Sequence, residues 1–171
     1  MLINRTWAMP NKNTFSIKPI ERLIFKYLHG VSIDPFANRS KLATYTNDID
    51  GSYKTTHNMD AVDFIKTFGD ECIDVVLFDP PYSPRQVSAC YKALDLSVNM
   101  QTTQSSFWAR CKEQISRVTA AGGYSITCGW NSGGIGKKHG FAIVEILLVA
   151  HGGWHNDTIV TVERKQQTLF T

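Results

Sequence analysis

The sequence predicts an α/β fold with a mostly parallel sheet that closes in a carboxyl-terminal antiparallel hairpin. Short apolar runs alternate with helix-period patterns along the chain, which is typical of a parallel sheet covered by helices. The last two apolar runs, 141–150 and 158–162, are joined by a short glycine-containing connection. That connection suits only a hairpin, because parallel neighbours need a crossover of a dozen or more residues.

The elements are predicted in order along the chain. Residues 1–16 are polar and irregular, and Pro19 begins a helix whose apolar residues recur at helical spacing to Leu28, with Gly30 after its end. The remaining predicted elements are strands over 31–34, 42–46 and 53–57, a helix over 60–68, a strand over 73–78, a helix over 106–120 that Gly122-Gly123 ends, a strand over 124–128, and the two hairpin strands.

The links between the first three predicted strands are too short to hold helices. Only 37–41 or so separates the first two strands, and Gly51-Ser52 separates the second from the third. We therefore expect some covering helices to be missing, so that the helix at 19–29 alone shields this face of the sheet. Because parallel sheets are buried on both faces, we expect another subunit to cover the rest, most simply as a homodimer. The alternative is that the strand at 42–46 is misplaced.

Length and composition bound the class of protein. The 171 residues suffice for a single domain over 1–171 and are too few for two. A net charge of +3 is compatible with a polyanionic partner but does not argue for one. There is no membrane-spanning run and no secretory signal. The scattered cysteines and histidines lack metal-ligand spacing, so we expect free thiols, no metal and a cytoplasmic location.

The most informative motif is Asp79-Pro80-Pro81-Tyr82, directly after the strand at 73–78. Proline has no N–H to donate to a sheet, and it disfavours helix for the residue before it. The motif therefore holds a carboxylate, bare carbonyls and an aromatic ring at the carboxyl end of a strand, where open α/β sheets bind ligands. The simpler alternative is a turn whose prolines only end the sheet.

This motif resembles the catalytic motif of S-adenosylmethionine-dependent amino-methyltransferases, above all the N6-adenine DNA methyltransferases. The element order is similar to the seven-stranded Rossmann-like class I methyltransferase fold, and the resemblance covers nearly the whole chain. It implies that Asp79, Pro80, Pro81 and Tyr82 are catalytic and that S-adenosylmethionine is the cofactor. Asp79 and the Pro80 carbonyl would accept hydrogen bonds from the adenine amino group, and Tyr82 would stack on the flipped base.

Further segments resemble the cofactor-binding motifs of this family, in the family's order. The segment 15–18 would hold the methionine part of the cofactor. The acids after the second strand, Asp48 and Asp50, would hold its ribose, and Asp60-Ala61 would contact its adenine amino group. Singly, the aspartates could be helix caps or turn residues, and the lysine a solvated one. The usual glycine turn is replaced by 37–40. The predicted cofactor-binding residues are Phe15, Ser16, Ile17, Lys18, Asp34, Pro35, Phe36, Asn38, Asp48, Asp50, Asp60 and Ala61.

No separate target-recognition domain is evident, so we expect the substrate to contact the segments 83–105 and 129–140. The glycine-rich segment 129–140 is interpreted as a lid or substrate contact, because it lacks the ending of a phosphate-binding loop. In the tail, charge is interleaved with an aromatic residue, as in nucleic-acid-binding tails and many ordinary termini. The predicted substrate-binding residues are Arg85, Trp130, Asn131, Lys137 and Lys138. Arg85 could equally be an exposed loop residue, and Trp130 could close the core edge.

The resemblance therefore implies an N6-adenine DNA methyltransferase of a compact type found in phages and mobile elements, with DNA as its partner. Three alternatives stay open. RNA adenine could be the substrate, since nothing in the sequence reports on the 2′-hydroxyl. Protein-glutamine methyltransferases prefer Asn at the position of Asp79. A non-catalytic subunit of the same fold, binding a partner or nucleic acid, is favoured by the missing glycine turn and opposed by the intact Asp79-Pro80-Pro81-Tyr82 motif.

Overall fold

The chain forms one twisted sheet in the computed structural model, which describes residues 1–81, 83, 85, 88 and 105–167. Seven strands lie in the order β1-β6-β7-β5-β4-β2-β3. β7 is antiparallel to β5 and β6, and all other neighbours are parallel. This arrangement confirms the predicted fold class. The strands are β1 Leu2–Trp7, β2 Ser32–Asp34, β3 Tyr45–Thr46, β4 Ile73–Phe78, β5 Thr119–Gly129, β6 Phe141–Ala150 and β7 Thr158–Lys165.

Described helices cover both faces of the sheet. α1 (Lys18–Tyr27) packs its apolar stripe on one face, with Ile20 and Ile24 fully buried against β4, β5, β6 and β7. α2 (Ala61–Lys66) and α3 (Ser105–Val118) pack on the opposite face around Phe78. Short 3-10 turns lie at Thr14–Ser16 and Lys137–His139. Each described helix falls short of the length and apolarity that a bilayer span requires.

The prediction that residues 1–16 are irregular is wrong for β1. Leu2–Trp7 pairs with β6 along its whole length, as a parallel edge strand. Its residues are almost all exposed, so no buried face imposes an apolar alternation that the sequence could reveal. β1 is held by its backbone pairing and by Asn4, whose side-chain amide donates to Glu145 Oε1 at 3.0 Å.

Two further predictions are corrected. The strand predicted over 53–57 is a loop, with a single bridge between His57 and Asn47. Gly122 and Gly123 lie inside β5 rather than after a helix end. A Cβ atom at Gly123 would lie 2.8 Å from the Asp74 carbonyl oxygen, so this glycine permits a close approach of β5 to β4.

The prediction that covering helices are missing is confirmed between β2 and β3, where a loop over 35–44 joins the strands, whereas α2 lies between β3 and β4. Hydroxyl side chains close this part of the sheet: Ser32 and Thr44 exchange backbone N–H bonds to each other's hydroxyl oxygens at 3.1 and 3.0 Å. Thr46 and Thr56 do the same at 2.9 and 3.1 Å. Ser32 and Thr46 are buried. A second subunit over the sheet stays a prediction.

Candidate active site

A cleft of about 980 Å³ lies at the edge of the sheet where β2, β3 and β4 end. Pro35, Asp48 and Asp79 line it, and each belongs to the segment that directly follows one of these strands. The segment 10–17, which connects β1 to α1, forms another wall. Parallel pairing therefore collects residues that are far apart in the sequence at the edge where open α/β sheets bind ligands.

The proline-rich motif forms part of this cleft. Asp79, Pro80 and Pro81 line the cleft directly after β4, whose residues Val75 to Phe78 are buried. The carbonyl oxygen of Pro81 accepts a hydrogen bond from Trp108 Nε1 of α3 at 3.1 Å. The motif backbone is thus held both by the buried strand β4 and by the Trp108 side chain of α3. Tyr82 lies outside the described residues.

Asp34, the last residue of β2, is fully buried and does not line the cleft. Its Oδ1 accepts the Phe36 N–H at 3.1 Å, while Oδ2 is buried without a partner among the described residues. Burial raises the pKa of Asp34 well above its usual range, and the charges of Asp79 and Asp48 raise it further. Asp34 therefore stabilises the turn after β2. Its neighbours Pro35 and Phe36, which were also predicted to bind the cofactor, line the cleft.

Asn38 adopts a left-handed backbone conformation of the kind that glycine adopts most readily. Its φ of 51° lies in the left-handed region, which asparagine tolerates better than most residues. The Asn38 N–H donates to Asp48 Oδ2 at 2.8 Å, and the Ala37 N–H donates to the Asn47 carbonyl at 2.8 Å. The chain therefore makes its turn against the cleft without glycine.

Asn47 organises the loops around the cleft, and sequence reasoning missed it. The side chain is fully buried. Its Nδ2 donates to the carbonyls of Pro35 at 3.1 Å and Met59 at 3.0 Å, and its Oδ1 accepts the Met59 N–H at 3.1 Å. It links the turns after β2 and β3 to the start of α2. An asparagine after a short strand is too common in turns to have indicated this role.

Asp48 and Asp50 line the cleft after β3, as predicted for the acids of that position. Asp48 accepts the N–H groups of Asn38 and Asp50 at 2.8 and 2.9 Å, one at each oxygen. Burial nevertheless raises the pKa of Asp48. The hydrogen bond from the Ser52 N–H, at 2.8 Å, lowers the pKa of Asp50. Each carboxylate oxygen of Asp48 keeps acceptor capacity for a hydroxyl group of a ligand.

The amino-terminal wall contains most of the residues predicted to hold the methionine part of a cofactor. Phe15, Ser16 and Ile17 line the cleft, and the two apolar ones are also packed in the core. Lys18 lies away from it, with its ammonium group 2.8 Å from Glu21 on the exposed side of α1. The position of Lys18 fits the solvated-lysine alternative.

The two residues predicted to contact an adenine group begin α2. Asp60 is the N-cap, because its Oδ1 accepts the N–H groups of Val62 and Asp63 at 2.9 and 3.4 Å. Ala61 follows and lines the cleft, whereas Asp60 does not. Asp60 therefore caps α2, as the helix-cap alternative holds. Of the two residues, Ala61 is the one that lines the cleft.

The predicted substrate-binding residues do not lie together. Trp130 lines the cleft. Asn131 accepts the Gly133 N–H at 2.8 Å in its own turn and does not line the cleft. Arg85 is exposed and is not part of the cleft wall. Lys137 and Lys138 precede β6, which starts at the end of the sheet opposite Asp79, because β6 runs parallel to β4 and β5.

The loop after β5 is anchored in the protein rather than open. Ile135 is 1% exposed, and its N–H and that of Gly136 donate to Glu163 at 2.5 and 3.0 Å. Gly134 has a φ of 47°, and a Cβ atom there would overlap the Glu163 carboxylate. This part of the predicted lid therefore packs as core. Burial raises the pKa of Glu163.

The hairpin between β6 and β7 contributes cleft residues that the sequence did not indicate. His151, His155, Asn156 and Thr158 line the cleft. His151 is buried, with Nδ1 2.8 Å from the Ala8 carbonyl and Nε2 2.9 Å from the Thr158 hydroxyl. The predicted topology could have indicated these residues. A hairpin loop that follows a strand parallel to β4 lies at the same edge of the sheet as Asp79.

The structure resembles those of methyltransferases. It matches 1,6-didemethyltoxoflavin-N1-methyltransferase from Burkholderia thailandensis with a TM-score of 0.58 and 11% identity, over 88% of this chain and 78% of that chain. It matches an rRNA methylase from Streptococcus thermophilus with a TM-score of 0.55 and 12% identity, over 94% and 100%. For NodS from Bradyrhizobium japonicum the values are 0.55 and 11%, over 92% and 94%.

No protein-family model and no curated protein sequence matches the chain. The likeness is therefore one of architecture. The chain has the Rossmann-like fold of class I methyltransferases, as the order of its elements predicted.

Proposed function

We propose that this chain transfers a methyl group from S-adenosylmethionine to the exocyclic N6 amino group of adenine in DNA. The observation that carries the proposal is the position of Asp79, Pro80 and Pro81. They line the same cleft as the turn after β2 and the acids after β3. In the proposed enzyme, the amino group that is methylated and the cofactor thus meet at one strand end.

The cleft suits this cofactor in charge and size. S-adenosylmethionine carries a sulfonium and an ammonium group, and the carboxylates of Asp48 and Asp50 line the cleft. The volume of about 980 Å³ is at the upper end of small-ligand sites. The Burkholderia enzyme and NodS are similar in fold and were crystallised with S-adenosylhomocysteine. When bound, S-adenosylmethionine supplies an electrophilic methyl group on sulfur.

Cofactor-holding residues are proposed on the walls that the structure brings together. The backbone of 15–17 would hold the methionine part, and Asp48 and Asp50 would accept hydrogen bonds from the ribose hydroxyls. The turn at Asn38 would let the backbone approach the cofactor, which is the role that glycine has in related folds. The first residues of α2 would face the adenine ring.

Asp79 and Pro80 act on the nucleophile. The exocyclic nitrogen of adenine is a weak nucleophile because its lone pair is delocalised into the ring. Hydrogen bonds from its N–H groups to the Asp79 carboxylate and the Pro80 carbonyl favour a pyramidal nitrogen with an available lone pair. The nitrogen gains the methyl group and loses one proton, which Asp79 can accept before it passes to solvent. Tyr82 would stack on the base.

The conformation of Asn38 bears on the non-catalytic alternative. The non-catalytic alternative rested on the missing glycine, and Asn38 adopts a φ of 51° that glycine would otherwise provide. This supports a retained cofactor turn. RNA adenine is the second candidate substrate, since Asp79 and Pro80 would act on the same amino group. The link to phages and mobile elements stays a prediction.

The proposal is tested by incubating the protein with S-adenosylmethionine labelled in its methyl group, in separate reactions with DNA and RNA. We expect label in N6-methyladenine of DNA. Label confined to RNA would support the RNA alternative. Label in neither pool, together with normal cofactor binding, would support the non-catalytic alternative.

The role of Asp79 is tested by Asp79→Ala. We expect this variant to lose methyl transfer while its affinity for S-adenosylmethionine stays nearly unchanged. Asp63→Ala is the matched control, because Asp63 is an exposed carboxylate on α2 that pairs with the equally exposed Lys66. Wild-type activity in Asp79→Ala would refute the assigned role.

A further inference from the structure

The rim of the cleft carries exposed tryptophans, which we call the tryptophan rim: Trp7, Trp130 and Trp154. Trp130 lines the cleft and is 46% exposed. Trp154 is fully exposed and directly precedes His155, which lines the cleft. The ring nitrogen of Trp7 would lie 3.4 Å from a Cβ atom at Gly152, so Trp7 borders the same hairpin loop. These residues share the edge of the sheet at which Asp79 lies.

Exposure of such large rings indicates an interaction surface. Tryptophan has the largest apolar area to remove from water, and clustered exposed apolar groups mark binding sites. Gly152 and Gly153 have φ values of 70° and 59°, which only glycine adopts readily. The hairpin is therefore built to turn sharply just before Trp154 and to leave its ring in water.

Cations accompany the tryptophan rim. Lys12 and Arg39 are exposed and line the cleft. Arg5 is exposed on β1, on the same face of the sheet as Trp7 because side chains alternate along a strand. The acidic residue nearest to Trp154 in the sequence is Asp157, whose carboxylate accepts the His151 N–H at 3.2 Å. Lys12, Arg39 and Arg5 thus place positive charge on the rim beside the single exposed carboxylate of Asp157 in this hairpin, while Asp48, Asp50 and Asp79 line the cleft.

We propose that the tryptophan rim binds single-stranded DNA on either side of the target base, so that the substrate is an unpaired adenine. Proteins that bind single strands combine aromatic rings, on which bases stack, with cations along the phosphates. In a duplex, both faces of each base are already covered by its neighbours. The inference rests on the proposed function, because the base held between these contacts is the one that enters the cleft.

The arrangement also separates the two kinds of recognition. Phosphates would lie against Lys12 and Arg39 on the rim, while the amino group of the base would reach the carboxylate of Asp79. Stacking is tolerant of sequence because every base has an aromatic face. A protein that uses it therefore needs few contacts to base edges, and it avoids the cost of unstacking a paired base.

The test is the fluorescence anisotropy of a labelled, adenine-containing DNA strand of mixed sequence, alone and as a duplex, with wild type and variants. We expect tighter binding of the single strand than of the duplex. Trp154→Ala should weaken single-strand binding about fivefold or more, the lower end of one stacking contact, and Trp154→Phe should keep most of the affinity. Phe25→Ala is the matched control, because Phe25 is 59% exposed on α1.

Salt dependence tests the cations. Lys12→Ala should lower the slope of log affinity against log salt by about one. Lys138→Ala should leave it unchanged, because Lys138 lies at the opposite end of the sheet. Equal affinity for single strand and duplex, tighter binding of an RNA strand of the same sequence, or a Trp154→Ala variant that behaves like Phe25→Ala would overturn the inference.

Failure of the inference and failure of the proposed function give different results. Asp79→Ala should keep the preference for the single strand over the duplex, because the tryptophans and cations that carry this preference are unchanged. Binding through Trp154 without methyl transfer to DNA would overturn the proposed function and leave the single-strand surface standing. Methyl transfer to duplex and single strand at equal rates, unchanged in Trp154→Ala, would overturn the inference and leave the function standing.

Discussion

Glu145 connects β1 and α1 to the sheet, and we predict that Glu145→Gln destabilises the protein. The side chain is 4% exposed. It accepts hydrogen bonds from Asn4 at 3.0 Å, from Lys26 Nζ at 2.6 Å and from the Tyr27 hydroxyl at 2.6 Å. The segment between β1 and α1 forms the amino-terminal wall of the cleft, so the same contacts that stabilise the fold also position that wall.

The expected loss of stability depends on how many of these hydrogen bonds a glutamine amide can still accept. A glutamine oxygen accepts at most two of these bonds, and its amide N–H groups cannot accept one from Lys26. Each hydrogen bond to a charged group contributes about 1.5–3 kcal/mol, while half-exposed Lys26 regains water when it loses its partner. We therefore expect a loss of about 2 kcal/mol at neutral pH. This corresponds to a fall of about 4–8 °C in the melting temperature.

The effect should depend on pH. Burial by itself raises the pKa of Glu145, but the hydrogen bonds from Lys26, Tyr27 and Asn4 outweigh it and lower the pKa below its usual value. A lowered folded-state pKa contributes stability that is present above the unfolded pKa of about 4.3. That stability is lost as the pH falls through the folded value. The difference between wild type and Glu145→Gln should therefore be full at neutral pH and shrink in acid.

Urea and thermal unfolding, followed by circular dichroism across pH, measure this difference. Glu21→Gln is the matched control, because Glu21 forms an exposed i, i+3 pair with Lys18. A pair of that kind contributes about 0.2–0.5 kcal/mol. Equal stability of the two variants at neutral pH would show that the Glu145 contacts do not stabilise the fold, and the reasoning from burial would be wrong.

Three further predictions concern the cleft and its supports. Trp108→Phe removes the donor to the Pro81 carbonyl and should slow methyl transfer about fivefold, as expected for the loss of about 1 kcal/mol. Cofactor affinity should stay unchanged. Single-turnover kinetics measures the rate, and calorimetry measures the affinity. Asp34 has a raised folded-state pKa, so wild type should lose stability as the pH rises from about 4 through that pKa; melting curves of Asp34→Asn should lack this loss, and parallel pH profiles would contradict it. Glu163→Ala leaves the buried N–H of Ile135 and the half-buried N–H of Gly136 without their acceptor, so amide exchange after β5 should accelerate while exchange in β4 stays slow.

The parts of the fold that depend on a buried face were predictable. β4 is an apolar run ended by Pro80, and α1 shows apolar residues at helical spacing, so burial left a pattern in both. β1 was not predictable, because an exposed edge strand is held by backbone pairing that any sequence can supply. Gly122-Gly123 was read as a helix end, although glycine serves there for close strand packing, and sequence alone does not separate these two uses.

The candidate site divides in the same way. Residues at strand ends, such as Asp48 and Asp79, were predicted because parallel strands end at one edge, and both line the cleft. Lys137 and Lys138 were grouped with Trp130 but do not line the cleft. The length of the loop does not reveal that Ile135 is buried between them. Asn38 shows that a glycine-type turn can persist without glycine, which only its φ value reveals.

The sequence by itself determined the α/β class, the closing hairpin and the motif at Asp79, because burial periodicity, a short connection and proline chemistry are local properties. The tertiary structure alone decided which of the candidate residues share a cleft and which are caps, turns or core. It also brought Trp130 and Trp154 to the rim, from loops on different strands. These outcomes depend on strand order and on the paths of loops, which are set by packing between distant segments and leave no local signature.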